Sequence, residues 1–138
     1  MGKYIAYTDG SCDNLSPKRP GGAAYIIFNE DNSLYKKASK GFLGTTNNRM
    51  ELLAIISVVN SLPKGSAVTI YTDSQYCILA CKSKKPKKNK DLVELYHRLA
   101  GKLSEISFEW VRGHAGNIYN EECDRMANSE NRKIANSV

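Results

Sequence analysis

Four acidic residues lie in segments where a carboxylate is hard to explain by folding alone, and any fold for this chain must account for them. They are Asp9, Glu51, Asp73 and Asp124. An isolated carboxylate is strongly disfavoured in a protein interior, so a buried one is ion-paired, protonated or bound to a metal. Because the chain carries a net charge of +6, a metal-dependent reaction on a polyanion is the first hypothesis.

The 138 residues favour one domain, residues 1–138, of a size that buries an ordinary hydrophobic core. The sequence shows neither an export signal nor a run of about 18 apolar residues. We therefore expect a cytoplasmic protein without a membrane segment, and a monomer is the default. The cysteines lack the paired spacing of a zinc site and are predicted to be structural thiols: Cys12, Cys77, Cys81 and Cys123.

Hydrophobic periodicity predicts a mixed α/β domain that opens with strands. Apolar residues occupy both alternating sets of the first strand, which is typical of a central strand covered on both faces. The first three strands are predicted to form an antiparallel meander, with helices and further strands after them. The predicted strands span residues 3–9, 23–28, 34–42, 67–72 and 106–110, and the helices span about 48–62, 74–81, 92–103 and 119–134.

Glu51 is predicted to point toward the sheet. Ala54, Ile55 and Val58 lie three, four and seven residues after it, so its side chain shares the packing face of the helix. A metal ion would stabilise a carboxylate in that position. An ion pair with Arg49 or a lysine would also account for the acid, as would the favourable placement of a negative charge in the first helical turn.

Asp9 and Asp73 are each predicted to end a buried strand. The carboxyl ends of neighbouring strands line one crevice in a sheet with helical crossovers, so these two carboxylates are expected to meet. For Asp73 a helix cap is the competing interpretation, and Ser74 could share that task. Converging carboxylates repel one another, and a divalent cation such as Mg²⁺ or Mn²⁺ relieves the repulsion.

Histidines and a fourth acid complete the candidates. Asp124 follows Glu121 in the first turn of the last predicted helix, where the helix dipole favours acids, but it also lies near the inward face. His114 stands on a glycine-flanked loop, where it could transfer protons near neutral pH or be an ordinary surface residue. His97 lies on the polar face of its predicted helix and is expected to be solvated.

Five blocks of sequence are spread over nearly the whole chain. They are Tyr-Thr-Asp-Gly-Ser-Cys at 7–12, Thr-Thr-Asn-Asn-Arg-Met-Glu-Leu at 45–52, Thr-Asp-Ser-Gln-Tyr at 72–76, Trp-Val-Arg-Gly-His-Ala-Gly at 110–116 and Asn-Glu-Glu-Cys-Asp at 120–124. Together, and in this order, they resemble ribonuclease H type 1. The resemblance implies a mixed five-stranded sheet, its first three strands antiparallel, flanked by helices on both faces. It also implies endonucleolytic hydrolysis of the RNA strand of RNA/DNA hybrids with two Mg²⁺ ions, or Mn²⁺, giving 3′-hydroxyl and 5′-phosphate ends.

The resemblance also implies roles for individual residues. Four of them hold the metal ions: Asp9, Glu51, Asp73 and Asp124. His114 assists proton transfer or product release, and Glu121 is an accessory acid. Positions that match contacts to the minor groove and its 2′-hydroxyls are Gly10, Ser11, Cys12, Asn47, Asn48 and Gln75, and those that match a DNA-phosphate pocket are Thr46 and Asn89. Helix capping also accounts for Asn48 and Asn89, and Thr46 could simply precede a helix.

The chain departs from several bacterial members of the family, which insert an extra helix and a basic loop called the handle. Residues 78–89 are too few for both. We hypothesise that a lysine-rich loop contacts backbone phosphates instead, and a merely solvated loop is the alternative. The lysines concerned are Lys84, Lys85, Lys87 and Lys88.

Two further functions stay open. One is a hybrid- or RNA-binding module that has lost turnover, which the presence of all four carboxylates argues against. The second is a related metal-dependent nuclease acting on DNA, which is disfavoured by Asn47, Asn48 and Gln75 because they match contacts to a 2′-hydroxyl.

Overall fold

The apolar residues at the start of the chain form the centre of a sheet. The computed structural model describes residues 2–112 and 117–137, and its first three strands are β1 (Lys3–Cys12), β2 (Gly21–Asn29) and β3 (Leu34–Phe42). They pair antiparallel, as predicted. β1 runs three residues further than predicted because it continues past Asp9 with β2 as its partner.

Two parallel strands extend the sheet on the other side of β1. Helix α1 (Asn47–Ser61) leads into β4 (Ala67–Thr72), which pairs parallel with β1, and β5 (Glu105–Trp110) pairs parallel with β4. The strand order β3-β2-β1-β4-β5 places β1 in the middle, which accounts for the apolar residues on both of its faces. The remaining helices are α2 (Gln75–Lys82), α3 (Lys90–Ala100) and α4 (Ile118–Asn136).

Helices cover both faces of the sheet. Ile27 of β2 belongs to the main apolar cluster, which includes most of the buried apolar side chains of α1 and Val93 of α3. Ala24 lies on the opposite face of the same strand and packs with Cys123 and Ala127 of α4. Full burial of a Leu, Ile or Val side chain contributes about 1.5–3 kcal/mol. Burial of these two clusters therefore stabilises the sheet and the helices that carry the polar residues.

Helix α4 lies very close to the sheet because glycines stand beneath it. A Cβ on Gly22 would overlap with the backbone oxygen of Ala127, and one on Gly41 would lie 2.8 Å from the backbone oxygen of Glu130. Any larger residue would push the helix outward. The two glycines thereby fix the distance from the sheet of Asp124, which precedes Ala127 by one turn.

Two local predictions are wrong. Asn89 adopts a left-handed conformation, with φ at 52°, and its side chain does not cap α3. Its amide oxygen accepts a hydrogen bond from Arg49, and its amide nitrogen donates one to the Tyr76 hydroxyl. His97 is engaged rather than simply solvated, since its Nε2 lies 2.7 Å from the backbone oxygen of Ser83. Both side chains stabilise the loop between α2 and α3.

Within residues 2–112 and 117–137, no helix combines the length and apolar character that crossing a membrane requires. The four cysteine thiols are free, and those of Cys77, Cys81 and Cys123 are buried.

Candidate metal centre

Asp9 and Asp73 meet at the carboxyl end of two parallel strands. Pairing between β1 and β4 stops at Tyr7 and Tyr71, two residues before each aspartate. Asp73 follows the last residue of β4, as predicted. Asp9 does not end its strand, because β1 continues to Cys12 along β2. The sheet thus places the two carboxylates together although only one of them stands at a strand end.

Glu51 reaches the same point from α1. The hydroxyl of Thr46 begins this helix by accepting a hydrogen bond from the backbone N–H of Arg49. The backbone N–H of Gly10 donates both to Glu51 Oε1 and to Asp9 Oδ1, each at 2.9 Å. A Cβ on Gly10 would overlap with the backbone of α1. Glycine at this position therefore allows the helix to bring Glu51 against Asp9.

The three carboxylates form a compact group. Asp9, Glu51 and Asp73 each offer an oxygen atom, and these oxygens all lie within 4.8 Å of one another. Asp9 and Glu51 are each only 5% exposed. The group stands at one side of a cavity of about 480 Å³. This cavity is lined by Asp9, Gly10, Ser11, Cys12, Asn47, Asn48, Glu51, Asp73, Ser74, Asp124 and Asn128.

The electrostatic environment of these acids is unfavourable for their charged forms. Burial, with repulsion from Asp73 and Asp124, raises the pKa of Asp9 to about 7, although hydrogen bonds from Glu51 and Gly10 oppose the shift. Burial also raises the pKa of Glu51 well above its ordinary value, and the Asp9 carboxyl adds to the effect. No lysine or arginine of the described chain lines the cavity. Repulsion among the acids therefore adds to the cost of burying Asp9 and Glu51.

The residues fit a hard divalent cation. Oε2 of Glu51 is buried and lacks a hydrogen-bond partner among the described residues, and buried polar atoms without a partner are rare in native proteins. The donor atoms of the group are carboxylate oxygens, which Mg²⁺ and Mn²⁺ prefer over softer ligands. An ion between the three acids would satisfy the orphaned oxygen and remove the repulsion together.

The simpler interpretations of Glu51 and Asp73 are not confirmed: no ion pair found in the described chain involves Glu51, and the first turn of α1 holds no acid. Arg49 does not neutralise Glu51, because its guanidinium binds Asp91 with Nη2 to Oδ2 at 2.7 Å and Nη1 to Oδ1 at 3.0 Å. Asp73 is not the cap of α2 either. Ser74 takes that role, since its hydroxyl accepts the backbone N–H of Cys77 at 3.1 Å.

Asp124 lies at the same cavity but outside the compact group. It stands in α4, whose first turn is capped by Asn117. Its charge reaches Asp9, where it contributes to the raised pKa. Glu121, half-buried one turn earlier, does not line the cavity. His114 falls outside the described residues.

The predicted substrate positions divide into two sets. Five of them line the cavity beside the carboxylates: Gly10, Ser11, Cys12, Asn47 and Asn48. Gln75, Thr46 and Asn89 do not. Gln75 is exposed at the start of α2. Thr46 and Asn89 both bond to Arg49, one through its backbone N–H and the other through its guanidinium.

The lysine-rich loop between α2 and α3 is exposed. The side chains of Lys84, Lys85, Lys87 and Lys88 all face solvent. Around Pro86 the loop borders a shallow, mostly apolar cavity with Leu79, which is 69% exposed. The structure thus places these charges on a free surface without assigning them a partner.

Sequence reasoning missed two residues at this centre. Asn128 lines the cavity four residues after Asp124, on the same face of α4, and this helical spacing could have indicated it. Trp110 contacts the backbone of Asp73, its Nε1 lying 3.3 Å from the carbonyl oxygen. No spacing in the sequence indicates that bond, because it joins two separate strand ends.

Comparison with known proteins identifies the family of this chain. The family model for RNase H matches residues 1–132. A Ribonuclease H of Nitratidesulfovibrio vulgaris is 42% identical, over 90% of this chain and 86% of its own. Another, of Paracidovorax citrulli, is 40% identical over 93% of both chains. A third, of Trichodesmium erythraeum, is 39% identical over 93% of this chain and 88% of its own. The chain belongs to the RNase H family.

Proposed function

We propose that this protein is an endonuclease that hydrolyses the RNA strand of RNA/DNA hybrids and leaves 3′-hydroxyl and 5′-phosphate ends. The observation that carries the proposal is the group of three carboxylates within 4.8 Å of one another, two of which, Asp9 and Glu51, are buried. Membership of the RNase H family supplies the reaction class. The net charge of +6 suits a polyanionic substrate.

Asp9, Glu51 and Asp73 would hold Mg²⁺, with Mn²⁺ as the chemically similar alternative, and Asp124 would complete a site for two ions. Such ions, when bound, acidify a coordinated water and stabilise the charge that develops on the phosphate oxygens. The task of the chain is to keep its carboxylates ionised and fixed. The N–H of Gly10 serves both needs, because a hydrogen bond to Asp9 and Glu51 favours their charged forms.

Recognition of the RNA strand is assigned to the polar residues beside the acids. Ser11, Asn47 and Asn48 line the cavity with a hydroxyl and two amides. These groups can exchange hydrogen bonds with the 2′-hydroxyl, which only the RNA strand carries. Gly10 and Cys12 line the same cavity and are assigned to the minor groove with them.

Residues outside the cavity lining complete the proposal on the strength of the family resemblance. Thr46 and Asn89 flank Arg49, to which both are bonded, and are assigned to a phosphate of the DNA strand. Gln75 is assigned to the minor groove, Glu121 to an accessory acidic role and His114 to proton transfer or product release.

The lysine-rich loop is assigned to sequence-independent contact with backbone phosphates. Replacing Lys84, Lys85, Lys87 and Lys88 with Ala should raise KM several-fold at moderate salt and flatten the dependence of KM on salt, because fewer counterions are released on binding. An unchanged KM would reject this assignment. A variant that loses the same charge elsewhere on the exposed surface controls for net charge; it carries Ala at Lys3, Lys36, Lys40 and Lys64.

One assay tests the whole proposal. The purified protein is incubated with Mg²⁺ and end-labelled RNA/DNA hybrid, duplex RNA or duplex DNA. We expect cleavage of the hybrid's RNA strand alone, and loss of that cleavage in Asp73→Asn. Asp31→Asn is the matched control, since it removes the same charge from an exposed turn between β2 and β3. Binding of hybrid without cleavage would favour a binding module, and cleavage of DNA would favour a DNA nuclease.

We further propose that the chain acts as a single domain and as a monomer in the cytoplasm. The membership of all five strands in one sheet supports the single domain. Light scattering tests the monomer, for which it should give a mass of 15.3 kDa.

A further inference from the structure

Trp110 ties the end of β5 to the backbone of Asp73. Its indole Nε1–H donates to the carbonyl oxygen of Asp73 at 3.3 Å. The next residue, Val111, donates its backbone N–H to the carbonyl of Thr72 at 2.8 Å. Trp110 and Val111, at the end of β5, therefore bond to the backbone of Asp73 and Thr72, at the end of β4.

Burial does not account for a tryptophan at this position. Trp110 is 45% exposed, and it is the only tryptophan in the chain. The guanidinium of Arg112 lies over its ring, 5.7 Å from the centroid, but a phenylalanine or tyrosine ring also attracts a cation in this way. The feature that only the indole offers here is a donor directed from the ring edge to the Asp73 carbonyl.

Asp73 occupies a position that needs such support. It stands between β4 and α2 and belongs to neither. Its carboxylate lies within 4.8 Å of oxygens of two other acids, whose repulsion acts to move it outward. Ser74 restrains the residue that follows Asp73 in the chain. Its N–H donates to Thr72 Oγ1 at 3.1 Å, and its hydroxyl caps α2. The indole bond completes the restraint on the Asp73 backbone.

We propose that Trp110 is a positioning residue of the metal centre, which holds Asp73 in place through its indole N–H. The inference rests on the proposed function, because it takes Asp73 to be a metal ligand. Hydrogen-bonding partners just outside a set of metal ligands typically contribute about 10- to 100-fold in metal affinity or activity. The lower value applies here, because the bond reaches the backbone of Asp73 and is exposed.

The first measurement needs no nucleic acid. Trp110→Phe keeps an aromatic ring beneath Arg112 and removes only the donor and part of the ring area. Titration calorimetry should show Mg²⁺ bound about 10-fold more weakly by this variant than by the wild type. Tyr35→Phe is the matched control, because it likewise removes one donor from an exposed aromatic residue to a backbone carbonyl, that of Ser61, far from the acids. It should bind Mg²⁺ as the wild type does.

The second measurement uses the indole of the wild type as a reporter. Because Trp110 is the sole tryptophan, its emission should change on Mg²⁺ addition with the midpoint found by calorimetry, and should stay constant in Asp73→Asn. This arm does not depend on how well Trp110→Phe folds. On hybrid substrate at saturating Mg²⁺, Trp110→Phe should lower kcat several-fold and leave KM within about two-fold. The rate is taken per folded molecule, with the folded fraction measured by circular dichroism, so that loss of folded protein is not counted as loss of kcat.

A wild-type Mg²⁺ affinity in Trp110→Phe, or an emission that ignores Mg²⁺ while calorimetry detects binding, would overturn the proposal. Failure of the proposed function looks different. In that case the wild type would leave the hybrid intact, while the Mg²⁺ measurements would still report whether the indole supports Asp73.

Discussion

Arg49 and Glu51 stand two residues apart at the start of α1 and show two opposite ways of placing a charge. Arg49 lies at the surface and forms a bidentate ion pair with Asp91, so its partner neutralises it directly. Glu51 is buried beside Asp9, a group of the same sign, and one of its oxygens has no partner among the described residues. Attraction assembles the first arrangement, whereas the second persists against repulsion.

The difference indicates what each arrangement requires from the fold. An exposed ion pair needs only two side chains that reach each other, and it contributes little to stability. A buried group of like charges must be held by surrounding structure. Here that structure is the Gly10 N–H, which bonds two of the acids, and the close approach of α4 over Gly22. The acidic side of α1 is therefore the side whose placement costs free energy.

The largest effect should come from replacing Glu51 with Gln. We expect hydrolysis of hybrid to fall on the order of a thousand-fold, equivalent to about 4 kcal/mol in the barrier, because a proposed metal ligand is lost. The metal-free protein should at the same time become more stable at pH 8, since a repelled carboxylate is removed. Rates from quenched-flow or gel assays and urea unfolding measure the two. A destabilised, fully active variant would contradict the contrast with Arg49.

The next effect is the pH dependence of the free energy of unfolding, which should have opposite signs for the acidic group and for the Arg49–Asp91 pair. In the metal-free fold the pKa of Asp9 is raised from 3.8 to about 7, so the folded state binds more protons than the unfolded state between these values. The free energy of unfolding should therefore fall as pH rises from about 4 to 7, by roughly 2–4 kcal/mol at about 1.4 kcal/mol per pKa unit. Urea titrations at a series of pH values measure it.

Two controls separate the source of this dependence. Saturating Mg²⁺ should remove the decline at high pH, because the ion takes the place of the protons. Asp9→Asn should flatten the same curve without Mg²⁺. If both samples kept the wild-type slope, the titrating groups would lie elsewhere in the protein.

A smaller effect should follow from Gly22→Ala, which tests the structural support of the acids rather than the acids themselves. The new Cβ would overlap with the backbone oxygen of Ala127, so α4 must move outward with Asp124. We expect a loss of about 2–3 kcal/mol in the free energy of unfolding, together with reduced hydrolysis. Gly101→Ala is the control. That glycine is helical, at φ −60° and ψ −19°, and a Cβ there meets nothing closer than 3.6 Å. It should be neutral or slightly stabilising.

Sequence reasoning was strongest where a residue violated its local pattern. Glu51 interrupts the apolar face of a helix, and this alone predicts a buried acid that needs a partner. The order of the strands is different, since no local pattern states which strands become neighbours. The sheet flanked by helices was therefore predicted from the family resemblance.

The errors share a physical cause. Asparagine is a common helix-capping residue, yet the Asn89 side chain forms hydrogen bonds with Arg49 and Tyr76, which are both distant in sequence. Asp9 does not end its strand, because β1 stays paired with β2 as far as Cys12. The bond between Trp110 and Asp73 likewise joins separate segments. Contacts between segments decide such details, and a single sequence records them only indirectly.

The smallest effect should come from Asp91→Asn, which breaks the ion pair on the other side of α1. Both side chains are substantially exposed, at 33% for Arg49 and 63% for Asp91, so we expect a loss of about 0.5–1 kcal/mol at pH 7 and low salt. The hydrogen bond from Arg49 lowers the pKa of Asp91 to about 2. The pair therefore stabilises the fold above about pH 4, and the difference between variant and wild type should vanish as pH falls toward 2.

Salt distinguishes this pair from the acidic group. The cost of Asp91→Asn should shrink in 1 M NaCl, because the screening length falls to about 3 Å and the attraction between exposed charges weakens. The effect of Glu51→Gln on the buried group should persist. Urea unfolding at both salt concentrations measures each difference. A salt-independent loss above about 2 kcal/mol for Asp91→Asn would mean that the pair supports the fold through Asn89 and α3 rather than through charge, since Arg49 bonds both residues. Arg49 would then no longer contrast with Glu51, because both side chains would belong to the structure around the acidic group.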